Sequence, residues 1–175
     1  MKRVVVIGTS CSGKTTLARR VAEAIGAPHI ELDAINWGPG WSETPTEEFR
    51  REVRLRVLGP RWVVDGNYSK VQDIVWSRAT DAIWLNYSFP VVFGRALGRT
   101  FRRILFRERL YNENRESFRN TFLSRNSILW WVVTTFRRRK KQYRDLFGNG
   151  AFPELSLTEL RRPREAEQLV RSLRG

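Results

Sequence analysis

Eight residues near the start of the chain, Gly8-Thr9-Ser10-Cys11-Ser12-Gly13-Lys14-Thr15, constrain the fold more than any other part of the sequence. They satisfy the spacing G-x-x-x-x-G-K-[S/T] without a mismatch. A β-branched run, Arg3–Ile7, precedes them, and a helical period of Leu17, Val21, Ala24 and Ile25 follows. A strand, a loop bounded by glycines and a helix in that order let several backbone N–H groups converge on one phosphate. The positive end of the helix dipole stands behind them. The residues predicted to cradle the phosphates of ATP are Gly8, Ser10, Cys11, Ser12, Gly13, Lys14, Thr15 and Thr16. Lys14 is placed to reach the β- and γ-phosphates, and the Thr15 hydroxyl to ligate Mg²⁺.

The rest of the chain alternates strand and helix. Strands are predicted at Arg3–Ile7, His29–Leu32, Trp62–Val64, Asp81–Leu85 and Leu155–Leu160. Helices are predicted at Thr15–Ile25, from Pro45 until Gly59-Pro60 stops it, from Pro90 onward, at Asn126–Phe147 and at Pro163–Leu173. In the helix after Pro90, Phe93, Leu97, Thr100 and Ile104 share one face, and Arg95, Arg99 and Arg102 the opposite one. Residues 110–125 are polar, rich in Asn and without a clear period, as in a loop or lid. Together these elements predict one α/β domain over residues 1–175 with a mainly parallel sheet. The longest strongly apolar stretch, Ile128–Phe136, is too short to span a bilayer, and no secretory signal opens the chain. A single cysteine makes no intramolecular disulfide, so a reducing, cytoplasmic setting is expected.

Charge is unevenly distributed. The net charge is +14, and residues 95–144 hold 15 Lys and Arg against three Glu. Such concentration predicts a phosphorylated or polyanionic partner for this region. One reading is weak nucleic-acid binding. Against it, the segment lacks the aromatic interleaving of a stacking platform and matches no known nucleic-acid module.

The phosphate loop, Glu31-Leu32-Asp33, the turn Asp65-Gly66-Asn67-Tyr68 and the Arg-rich stretch resemble the small P-loop kinases, the nucleoside-monophosphate, shikimate and gluconate kinase group. Four segments are similar, more closely, to the bacterial adenylate-kinase-related proteins labelled topology modulation proteins: Leu32–Trp37, Gly40-Trp41, Asp65–Tyr68 and Asn114–Asn120. The resemblance implies a P-loop NTPase core with strand order 2-3-1-4-5. It further implies an Arg-rich lid after strand four, at about residues 106–125, and an adenine site near Arg161–Pro163. Adenylate kinases carry Gly-Phe-Pro-Arg after the strand-three Asp, whereas Gly66 is followed here by Asn67-Tyr68-Ser69-Lys70. The pair Glu31 and Asp33 is instead similar to the carboxylates of shikimate-type kinases, the second of which contacts the acceptor hydroxyl.

The expected activity is therefore ATP- and Mg²⁺-dependent transfer of the γ-phosphate to a hydroxyl of a small-molecule or nucleotide-like acceptor. The alternatives are a nucleic-acid-associated ATPase using residues 95–144 and a nucleoside-monophosphate kinase. Asp65 ends a hydrophobic run and is the expected metal carboxylate, with Glu31 as a competitor; an Asp-Gly pair also suits a plain turn. Asp33 is the expected base for the hydroxyl proton; its other use is to cap the following segment. A well-placed Arg accelerates phosphoryl transfer about 10³–10⁵-fold. Arg115 and Arg119 are chosen for that role, with Arg99, Arg102 and Arg103 as alternates. Trp37, Trp41, Asn67 and Tyr68 either line the acceptor pocket or pack as a satellite core. Arg161 follows strand five, where the resemblance places the adenine. His29 is expected to be structural, Cys11 a small filler, and Arg137–Lys141 a solvated helix face.

Overall fold

The structure, a computed structural model, describes residues 1–106, 128–150, 152 and 154–174. Five parallel strands form one sheet in the order β2-β3-β1-β4-β5. β1 (Arg3–Gly8) lies at its centre, between β3 (Trp62–Asp65) and β4 (Asp81–Leu85), with β2 (His29–Glu31) and β5 (Ser156–Leu160) at the edges. Central strands covered on both faces read as continuous apolar runs, and β1 does so because its alternate residues serve two cores. Val4 and Val6 join Leu17, Val21, Ile83 and Val92 on one side. Val5 and Ile7 join Phe49, Val53, Trp62 and Trp84 on the other.

The helices are α1 (Lys14–Ile25), α2 (Leu32–Asn36), α3 (Thr46–Arg56), α4 (Gln72–Trp76), α5 (Phe89–Phe106), α6 (Ile128–Gly148) and α7 (Pro163–Arg174). The predicted second strand is one residue shorter, because Leu32 already turns into α2, and the loop expected to carry Asp33 is helical at its start. In α5 the buried stripe is Val92, Ala96 and Thr100, with Phe93 and Leu97 only half-buried, so the core-facing side is rotated from the predicted one. The predicted lid lies outside the described residues but for residue 106, and so do Arg115, Arg119 and the first two residues of the helix predicted from Asn126. Among the described residues, no helix is long and apolar enough to cross a membrane.

Parallel pairing brings strand ends to one edge. Val6 pairs with Asp65 and Glu31 with Asp65, so the loop after Gly8, the turn after Asp65 and the start of α2 open on the same side of the sheet. Open α/β sheets bind ligands at this carboxyl edge.

Candidate active site

The loop between β1 and α1 is shaped by its glycines. Gly13 sits at φ 95° as the N-cap of α1, a left-handed conformation that other residues adopt only with strain. A Cβ on Gly8 would stand 2.8 Å from Ser12 Oγ and 2.9 Å from Leu85 Cβ. Ser12 is fully buried, its Oγ without a hydrogen-bond partner, while its carbonyl accepts from the Arg95 guanidinium. Arg95 in turn lies 5.0 Å from the Tyr87 ring centroid. This arrangement carries a cation from α5 onto the loop. Arg95 is the main contributor that the sequence reading missed; its place opposite the apolar face of α5 was the available signal.

Lys14 donates from Nζ to the Thr9 carbonyl at 3.1 Å. Burial pushes its pKa down, and the charges of Asp33 and then Asp65 pull it back up. Both carboxylates therefore lie close enough to sense the ammonium. Thr15 Oγ1 donates to Asp65 Oδ2 at 2.6 Å, and His29 Nε2 lies 2.8 Å from Asp65 Oδ1. A buried carboxylate beside a threonine hydroxyl at the root of a phosphate loop is a donor set of hard oxygens. It fits Mg²⁺, which commonly takes one or two protein oxygens and completes its shell with phosphate and water. Glu31 is the N-cap residue of α2. His29, expected to be structural, holds the predicted metal carboxylate through this contact.

Asp33 occupies the first turn of α2, and Oδ1 accepts from the Tyr68 hydroxyl at 2.6 Å. Asn67 Nδ2 donates to the Gly8 carbonyl at 2.7 Å, tying the turn after β3 to the phosphate loop. Trp37 and Trp41 meet edge to face at 5.9 Å.

A cleft of about 870 Å³ runs from this loop between α5 and α7. Ser10, Cys11, Gly13, Lys14, Thr15 and Thr16 line it, as does Asp33. So do Arg20, Arg95, Arg99, Arg102 and Arg164, a cationic wall suited to polyphosphate. Arg99 and Arg102, held as alternates, are therefore at the site. Arg20 is bound at 2.5 and 2.6 Å by Glu167, which joins α1 to α7 along one side of the cleft. Arg161 is absent from the lining: its guanidinium pairs with Glu159 at 3.0 Å and its N–H with Glu165 at 2.6 Å, whereas Pro163 and Arg164 do line it.

A second, small cavity of about 40 Å³ lies beyond the turn after β3. Asn67, Tyr68 and Gln72 line it from the sheet side, and Arg139, Gln142 and Tyr143 from α6. Asn67 Oδ1 and the Tyr143 hydroxyl are buried with no protein partner. Buried polar atoms are normally satisfied, so the cavity offers an acceptor, a donor and a cation to a polar guest.

The strand order and the loop after β1 define a P-loop kinase fold. No family model and no curated protein matches the chain. Similar solved structures include a shikimate kinase from Bacteroides thetaiotaomicron, at 15% identity and a TM-score of 0.56, covering 98% of this chain and 96% of that one. A gluconokinase from Sinorhizobium meliloti 1021 is similar at 17% identity and a TM-score of 0.53, over 98% and 89% of the two chains. A sugar kinase from Janibacter sp. HTCC2649 is similar at 20% identity and a TM-score of 0.51, over 98% and 91%. At these identities the likeness is one of fold.

Proposed function

We propose that the chain is an ATP- and Mg²⁺-dependent kinase that phosphorylates a hydroxyl of a small polar acceptor. The observation that carries this reading is the meeting, in one cleft, of the phosphate loop with its half-buried Lys14 and of Asp33, held by Tyr68. The loop N–H groups, Lys14 and the arginines of the cleft hold the triphosphate. Thr15 and Asp65 would hold Mg²⁺, which supplies charge neutralisation between the β- and γ-phosphates. Tyr68 occupies Asp33 Oδ1 and leaves the second oxygen to take the proton of the attacking hydroxyl. The acceptor oxygen forms its bond to the γ-phosphorus as the bond to the β,γ-bridging oxygen breaks. A phosphate acceptor needs cations rather than a base at this point, and an Asn and a Tyr follow Gly66, which favours the hydroxyl over the nucleoside-monophosphate reading. The similar solved structures named for gluconate and shikimate agree with a small hydroxylated acceptor. The motif runs at Leu32–Trp37 and Asp65–Tyr68 support membership of the adenylate-kinase-related topology modulation group.

The test is a panel of sugars, polyols, hydroxy acids and nucleosides assayed by acceptor-dependent ADP release. One class should turn over, and Lys14→Ala should abolish that turnover with strongly weakened ATP binding by calorimetry. Absence of ATP binding in the parent, or binding unchanged by Lys14→Ala, contradicts the kinase reading.

A further inference from the structure

α6 turns two unlike faces to its surroundings. Val132, Thr135, Phe136 and Tyr143 are buried in the core. On the other side Arg137, Arg138, Lys141 and Arg144 are exposed. Trp130 and Trp131 stand on the same side, 52% and 45% exposed. At 3.6 residues per turn, positions 130, 137, 141 and 144 fall on one stripe, and 131 and 138 on a second stripe about a quarter turn away. The two rings precede the basic run in sequence, yet the helix brings Trp130 into line with Arg137 and Arg144 over about 21 Å, and Trp131 into line with Arg138 two turns on.

The charges are poorly compensated. Lys141 pairs with Asp145 at 2.6 Å. Arg137, Arg138 and Arg144 have no ion-pair or hydrogen-bond partner among the described residues, and like charges at i,i+4, such as Arg137 and Lys141, disfavour the helix. None of these three guanidinium groups lines either cavity of the candidate active site. Nucleotide chemistry therefore leaves them unexplained.

We infer that the exposed side of α6 binds single-stranded nucleic acid, with backbone phosphates on Arg137, Arg138 and Arg144 and a base stacked on Trp131. Phosphate-binding cations beside exposed rings are the two parts of a sequence-tolerant single-strand surface. A duplex would engage the arginines but leave the rings without unstacked bases. A bilayer is disfavoured because an interfacial helix inserts a continuous apolar face; here that face is buried and the exposed rings occupy one end only. This surface is independent of the phosphoryl-transfer reading.

The test uses the full chain and a fluorescein-labelled twelve-nucleotide oligo(dT), read by anisotropy across a sodium chloride series. Three phosphate contacts at about 0.7 each give a log–log salt slope near −2. The triple variant R137E/R138E/R144E should lose binding, and Trp131→Ala should weaken it about tenfold, while both keep the parent's melting temperature and ATP affinity. Should the triple variant not fold, Arg137→Gln and Arg144→Gln singly should each reduce the slope by about 0.7. No binding at low salt, or binding and slope unchanged in the arginine variants, overturns the proposal. So does an unchanged affinity of Trp131→Ala, which would leave phosphate contacts alone, or binding to phosphatidylserine vesicles without binding to the oligonucleotide.

Discussion

Asp65 divides its oxygens between two elements: Oδ2 accepts from Thr15 Oγ1 of α1, and Oδ1 faces His29 Nε2 of β2. Partners of a metal carboxylate fix its rotamer, and their loss typically lowers metal affinity about 10–100-fold. His29→Ala should therefore weaken Mn²⁺ binding in the presence of ATP by about tenfold or more, measured by paramagnetic resonance of free Mn²⁺. Metal-free ATP binding should be unchanged, and an unaltered Mn²⁺ affinity would reduce His29 to packing. Asp65 stood out in the sequence as the candidate metal carboxylate because a hydrophobic run ended in Asp-Gly. Its histidine partner was not, since a contact between residues 36 positions apart leaves no local period that reports it. The Arg20–Glu167 pair, 147 residues apart, was hidden for the same reason.

α6 serves both cores: Val132 and Phe136 belong to one, and Tyr143, with Leu146 and Phe147 against it, to the other. Burial pushes the Tyr143 phenol up to about 12, and the Arg139 charge opposes this. An unfolded tyrosine titrates near about 10. Below that pH both states keep the proton and stability is unaffected. Above it the unfolded chain deprotonates first, so stability falls as pH rises towards about 12. Thermal melts from pH 9 to 11.5 should fall more steeply for the parent than for Tyr143→Phe; equal slopes would mean the phenol ionises freely in the fold. Long elements such as α1, α5 and α6 were legible because several turns repeat their apolar positions. α2 and α4, five residues each, contain too little sequence to establish a period. That is why Asp33 was expected in a loop rather than on the first turn of a helix.

At the scale of the molecule, the sheet's carboxyl edge assembles groups from distant parts of the chain: Lys14 and Thr15 from α1, Asp33 from α2, Asp65 and Tyr68 from β3 and its turn, and Arg95 from α5. The alternation of elements gave a mainly parallel sheet, and its strand order was legible only through the resemblance to the small P-loop kinases. The composition of the cleft wall depends on how α5 and α7 rotate onto the sheet, and packing, not pattern, sets that. This convergence makes a specific claim about proton transfer. A hydroxyl must lose a proton as it attacks, and under the proposed function Asp33 takes it. Asp33→Asn keeps size and hydrogen-bonding capacity while removing the base. The decisive measurement is kcat of Asp33→Asn on the acceptor that the panel identifies, at saturating ATP. The account predicts a fall of about 10²–10⁴-fold with ATP affinity intact, and a fall of less than about tenfold would contradict general-base transfer to a hydroxyl.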